Sequence, residues 1–214
     1  YINGSKNENY FRVLHTQNVN DKFNFSLNYN LISSDGIYHR QKTKNSNFGF
    51  TALYKTPIYK LNTFFFYDRI DNELNGGITN DSIFENNVEG TRNIIGVNLS
   101  DAKSKLVHST AGINQSLKLA GNERSNIRLN HYSNYQNFVY KYTDDLINKG
   151  FYQNYYNDSS VTADKLVYDI LYNKFSFSNT LFSSLFIDAG TDYDIIRTTQ
   201  QGIKNEHYDS KLFF

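Results

Sequence analysis

The sequence predicts an all-β fold: an antiparallel up-and-down β-barrel that crosses a membrane with its strands. Three observations predict it. Apolar and polar residues alternate along almost the whole chain, helix-period segments are nearly absent, and short and long links alternate between the strands. The pattern is clearest over 23–31, where Phe23, Phe25, Leu27, Tyr29 and Leu31 are separated by Asn24, Ser26, Asn28 and Asn30. Successive strand side chains point to opposite faces, so this segment has one apolar wall and one amide-and-hydroxyl wall. A soluble sheet can do the same by turning its apolar wall to a core. Recurrence along the chain favours a barrel that is apolar outside and wet inside.

The elements follow in order. A first strand is expected over 10–18, with a tight turn at Val19-Asn20-Asp21, and a second over 22–34. The third, over 45–55, carries Phe48, Phe50, Ala52 and Tyr54 in step and closes at Pro57, a residue that breaks strands. The fourth, over 58–69, aligns Tyr59, Leu61, Phe65 and Tyr67. A long segment at 70–104 contains Gly76-Gly77 and a possible short strand at Ile95, Val97 and Leu99. The fifth strand spans 105–119. The sixth spans 126–142 and changes apolar parity midway, which predicts a β-bulge near 131–134. The seventh, over 165–179, has Leu166, Tyr168, Ile170 and Tyr172 in step and Phe175 and Phe177 out of step. The eighth, over 184–197, sets Leu185, Ile187, Ala189 and Tyr193 against Asp188, Gly190, Asp192 and Asp194. A ninth begins at 207–214.

Short links follow strands one, three, five and seven. Long links, about 35–44, 70–104, 143–164 and 198–206, follow the others. Antiparallel strands place alternate links on opposite ends, so one end carries all the long loops. Outer-membrane barrels share that asymmetry, and about 9–11 tilted residues suffice to span a bilayer. The whole of 1–214 therefore reads as part of one barrel domain.

Composition agrees. About one residue in seven is Asn, and the chain holds 18 Tyr and 17 Phe but no Trp, one Pro and no Cys. Mean hydropathy is −0.61, and no apolar run approaches the roughly 20 residues of a spanning helix. A barrel escapes both limits, because only every second strand residue faces lipid. A net charge of +1 argues against a nucleic-acid partner, which would need clustered Lys and Arg. There is no Met, and the chain starts inside the polar run Tyr1-Ile2-Asn3-Gly4-Ser5, so it reads as part of a longer protein.

The phrases Tyr10-Phe11-Arg12-Val13-Leu14-His15-Thr16-Gln17-Asn18, Phe25-Ser26-Leu27-Asn28-Tyr29-Asn30, Ser34-Asp35-Gly36-Ile37-Tyr38 and Asn75-Gly76-Gly77-Ile78 resemble the putative porin family of Bacteroidetes outer membranes. The resemblance implies a partial outer-membrane β-barrel with passive permeation, and it carries over no catalytic residue. The final Phe214, in step with Leu212 and Tyr208, resembles the terminal signal read by barrel-assembly machinery. The alternative is chance in a chain that is 16% aromatic.

No chemistry-bearing motif competes with this reading. His15, His39, His108, His131 and His207 lack zinc-ligand spacing. Elbow, P-loop and dinucleotide patterns are missing, and no spacing supports a glycosidase carboxylate pair. Asp71, Glu73, Asp81 and Asp144-Asp145 form no calcium loop. We therefore expect no enzyme activity, cofactor or metal.

The lumen-lining candidates are Asn24, Ser26, Asn28, Asn30, Asp188, Asp192 and Asp194. The three aspartates either bias the pore toward cations or pair with Lys and Arg in a structural ladder. Phe23, Phe25, Leu27, Tyr29, Leu31, Phe48, Phe50, Leu185 and Ile187 are the lipid-facing candidates. Expected partners are outer-membrane lipid and lipopolysaccharide, with other envelope proteins at the long loops, whose aromatic tips Phe151-Tyr152 and Tyr155-Tyr156 favour contact with glycan, protein or lipopolysaccharide.

Three functional readings follow. The first is a porin-like barrel for passive diffusion of small solutes. The second is a plugged accessory barrel of a larger envelope assembly, with 70–104 as the plug. The third is a soluble carbohydrate-binding β-sandwich.

Overall fold

The computed structural model describes residues 1–79, 85, 92, 94–122, 125–144, 151, 162–181, 185–200 and 203–213. Ten strands run in chain order through one sheet, each antiparallel to its predecessor. They are β1 (Ile2–Asn3), β2 (Asn9–Asn20), β3 (Phe23–Ser34), β4 (Thr43–Lys55), β5 (Tyr59–Glu73), β6 (Lys103–Gly121), β7 (Asn126–Asp144), β8 (Thr162–Leu181), β9 (Leu185–Gln200) and β10 (Ile203–Phe213). The sheet is open, with β1 and β10 at its edges. Among the described residues no second sheet lies against it, so the β-sandwich reading fails.

Local chemistry explains the tight links at one end. Asn20 closes the first turn by accepting hydrogen bonds on Oδ1 from the backbone N–H of Lys22 (2.9 Å) and Phe23 (3.0 Å). Thr56 holds the turn through Pro57, its N–H donating to the Tyr59 carbonyl at 2.7 Å and its Oγ1 accepting from the Tyr59 N–H at 2.9 Å. Gly121 takes φ +104°, a left-handed conformation that glycine adopts without strain. The Asn122 N–H then donates to the Ser125 carbonyl at 2.7 Å.

Residues 35–42, 74–102 and 145–161 are the long links, and they share the other end. The fourth link there corrects the expectation. Cross-strand pairing runs to Gln200 and resumes at Ile203, so the expected loop at 198–206 is a two-residue connection. Its polar residues are strand residues: Thr198 and Thr199 pair with Asn205 and Lys204, and Glu206 joins its cross-strand partner Arg197 at 2.7 Å. Polarity made them look like loop.

The bulges also fall elsewhere than expected. Register shifts between Asn18 and Asn20 and between Lys118 and Ala120, both beside short turns. Through 131–134 the pairing of β7 with β6 and β8 is unbroken. The parity change in β7 marks aromatics moving to the opposite face, and β8 behaves likewise. Ile95, Val97 and Leu99 form no strand; a single bridge joins Val97 to Ile78.

Packing concentrates at the long-loop end. Among the described residues only Ala52, Ile95, Leu99 and Ala102 are buried hydrophobics, and three of these belong to the 74–102 link. Its stem is held by Leu74 N–H to Ala102 O (3.0 Å), Leu99 N–H to Asn75 O (2.9 Å) and Asn98 N–H to Gly77 O (3.0 Å). Gly76, at φ +66°, leaves room for Leu99 and Phe151. Arg40 ties the 35–42 link to this stem through Glu73 at 3.2 Å, Asp101 at 3.8 Å and the Ala102 carbonyl at 3.2 Å. Asp35 in the same link accepts from Asn7 and pairs with Lys42, and those two contacts hold its carboxyl below the usual range.

Candidate functional site

Pairing register assigns every strand residue to one of two faces. Leu27, Phe50, Phe65, Ala111, Tyr135, Leu171, Ile195 and Tyr208 form one unbroken row across β3 to β10. All eight lie on the same face. Phe23, Phe25, Tyr29, Leu31, Phe48, Leu185 and Ile187 belong to that face as well. Its large side chains lie open, Phe175 at 49% and Ile187 at 48% exposure among them. A water-exposed apolar surface of this breadth requires a cover.

The opposite face carries the polar residues. One row reads Asn24, Leu53, Asn62, Asn114, Tyr132, Lys174, Asp192, Lys211, and the next Ser26, Thr51, Phe64, Gly112, Asn134, Tyr172, Asp194, Asp209. Asn28, Asn30 and Asp188 share this face. The register thus brings the amides of β3 and the aspartates of β9 to one surface, six strands apart.

Side chains on this face knit the strands together. Asn47 donates to Asp68 at 2.6 Å, with His108 3.9 Å from the same carboxylate. Thr110 donates to Asn134 at 2.8 Å, Ser116 to Asn130 at 2.7 Å, and Asn130 in turn to Ser178 at 3.0 Å. Among the described residues no Lys or Arg closes an ion pair onto Asp188, Asp192 or Asp194. Lys174 and Lys211 flank Asp192 in register. Lys174 instead sits 4.0 Å over the Phe213 ring, and Lys211 pairs with Asp209 at 3.0 Å. One carboxylate oxygen of each of the three aspartates, with the Asn28 and Asn30 side-chain oxygens, is shielded and accepts no hydrogen bond within the described residues.

Sequence reasoning missed Phe64 and Phe66 on this face. Their rings lie 5.9 Å apart over Gly112 and Gly49. A Cβ on Gly49 would come within 3.1 Å of Phe66, and one on Gly112 would run into Phe64. The signal was the run Phe64-Phe65-Phe66: three consecutive aromatics cannot all share one face of a strand. The aromatic loop tips Tyr152, Tyr155 and Tyr156 lie outside the described residues, as do Asp81, Asp145 and Phe214. No cluster of metal-ligating groups occurs among the described residues.

Comparison with known proteins adds a family. A family model described as putative porin matches residues 1–211. No curated protein matches the chain. A crystal structure of the ferric citrate transporter FecA in the unliganded form aligns at 10% identity and a TM-score of 0.38, covering 97% of this chain and 38% of that one. The chain therefore spans well under half the length of that transporter.

Proposed function

Because this chain belongs to the putative porin family, we propose that it forms part of an outer-membrane β-barrel through which small solutes diffuse passively. One observation carries this reading: an eight-strand row of mainly apolar residues backed by rows of amide, hydroxyl and charged residues. Lipid supplies the cover that the apolar face lacks, and outer-membrane lipid and lipopolysaccharide are its partners. The polar face lines a wet interior, where neutral amides hydrogen-bond solute and water without ionic preference. Asp188, Asp192 and Asp194 add a negative field that favours cations. The mechanism is diffusion down a gradient; no residue turns over and no cofactor takes part.

Conductance in planar bilayers tests the proposal. An open pore conducts, and replacing the three aspartates by Asn lowers its cation-to-anion permeability ratio. Absence of conductance by a folded barrel would overturn free permeation. It would favour the plugged accessory barrel, to which the Arg40-tied stem of 74–102 lends support. In that second reading the long loops dock other envelope proteins.

A further inference from the structure

We propose that a row of lysines without an ion-pair partner among the described residues, at the long-loop end of the apolar face, binds the phosphate groups of an anionic lipid whose acyl chains cover that face. This inference rests on the membrane reading above. Lys105, Lys141 and Lys165 are direct cross-strand partners on β6, β7 and β8. Strands in a sheet lie about 4.8 Å apart, so the three cations stand side by side. Like charges directly opposite each other destabilise a sheet. The fold gains nothing from this row by itself.

The neighbouring acids are committed elsewhere. Asp71, in register between Lys44 and Lys105, is held by Arg69 at 2.6 and 3.1 Å. Asp169 accepts from Tyr135 at 2.7 Å and Asn137 at 2.8 Å. Glu206 pairs with Arg197 at 2.7 Å. Among the described residues no carboxylate pairs with Lys105, Lys141 or Lys165.

Position supplies the second argument. The short-turn end of the same face has no charged strand residue among those described, so the cations mark one end only. Val107, Val139 and Val167 are in register two residues down each strand, roughly 7 Å away. A groove of about 500 Å³ opens on the long-loop side of the row, lined by Lys44, Lys105 and Lys141 together with Asp71 and Glu73. Cations directly above apolar side chains match a lipid, with phosphate at the level of the ammonium groups and chains below. Lysine stems can lie along apolar surface while their heads reach a phosphate. A free polyanion would use the charge and leave the valines idle.

The test uses the protein purified from outer membranes in a zwitterionic detergent. It is titrated with dioleoyl phosphatidic acid, with the matching phosphatidylcholine and with inorganic phosphate. Wild type is expected to prefer phosphatidic acid. Each cation near an anionic surface is worth roughly a fivefold change in partitioning, so K105Q/K141Q/K165Q should bind roughly a hundredfold more weakly. The charge-preserving K105R/K141R/K165R should retain binding. Unchanged binding by the Gln variant, or equal competition by inorganic phosphate, overturns the proposal. A gel run with and without boiling separates the two readings: a wild type with no heat-shifted band refutes the membrane barrel, whereas a folded Gln variant with undiminished lipid binding refutes only the lysine site. Should the triple Gln variant fail to fold, K141Q takes its place, with roughly fivefold weaker binding expected and unchanged binding again decisive against the site.

Discussion

Leu27 and Asn28 are consecutive residues with opposite surroundings, and the account stands on that contrast. Leu27 lies in the apolar row and Asn28 on the polar face. Arginine at a lipid-facing midplane position costs about 2–4 kcal/mol, whereas lumen positions tolerate it. Leu27→Arg should therefore lower folding stability in lipid vesicles by that amount, with Asn28→Arg near neutral, as measured by urea unfolding. Gly112 offers a second prediction at this scale. Gly112→Val drives a side chain into Phe64 and should cost about 1–3 kcal/mol by overpacking. The double variant Gly112→Val with Phe64→Ala should recover part of that loss; no recovery would mean that the valine clashes with the backbone instead of the ring.

Among the elements, the sequence was legible where parity was simple. Over 23–31 and 185–194 the apolar and polar sets needed only alternation to be separated. It was less legible in β7 and β8, where Tyr132, Phe138, Tyr168 and Tyr172 lie on the polar face. Alternation reveals parity but not which parity faces a core, so aromatics on the second face mimic a bulge. The final loop was misread for a related reason. Thr198, Thr199, Gln200 and Glu206 are polar because of where they sit in the sheet, and polarity alone does not distinguish a loop from a strand end.

The Arg40 contacts join residues more than 30 positions apart and had no local signal. Arg40→Ala should loosen the 74–102 stem by about 1.5 kcal/mol, making cleavage within it roughly tenfold faster. Urea unfolding of the strands should not change. Equal proteolysis rates would mean that the backbone bonds of the stem, not Arg40, hold it.

At the scale of the molecule, the described residues make one open sheet of ten strands with almost no buried core among them. A sheet of this kind keeps its apolar face only if something apolar covers it, and its edges invite further pairing. Both features are those expected of the membrane barrel proposed above. The sequence contains no Cys, so single cysteines can report each position in turn. The most direct test places one cysteine at a time along 23–31 in the native membrane. Each variant is then treated with a membrane-impermeant maleimide after the outer membrane has been opened on both sides. The account predicts labelling at positions 24, 26, 28 and 30 and protection at 23, 25, 27, 29 and 31. Equal labelling at both sets, or protection of the even positions instead, would contradict it.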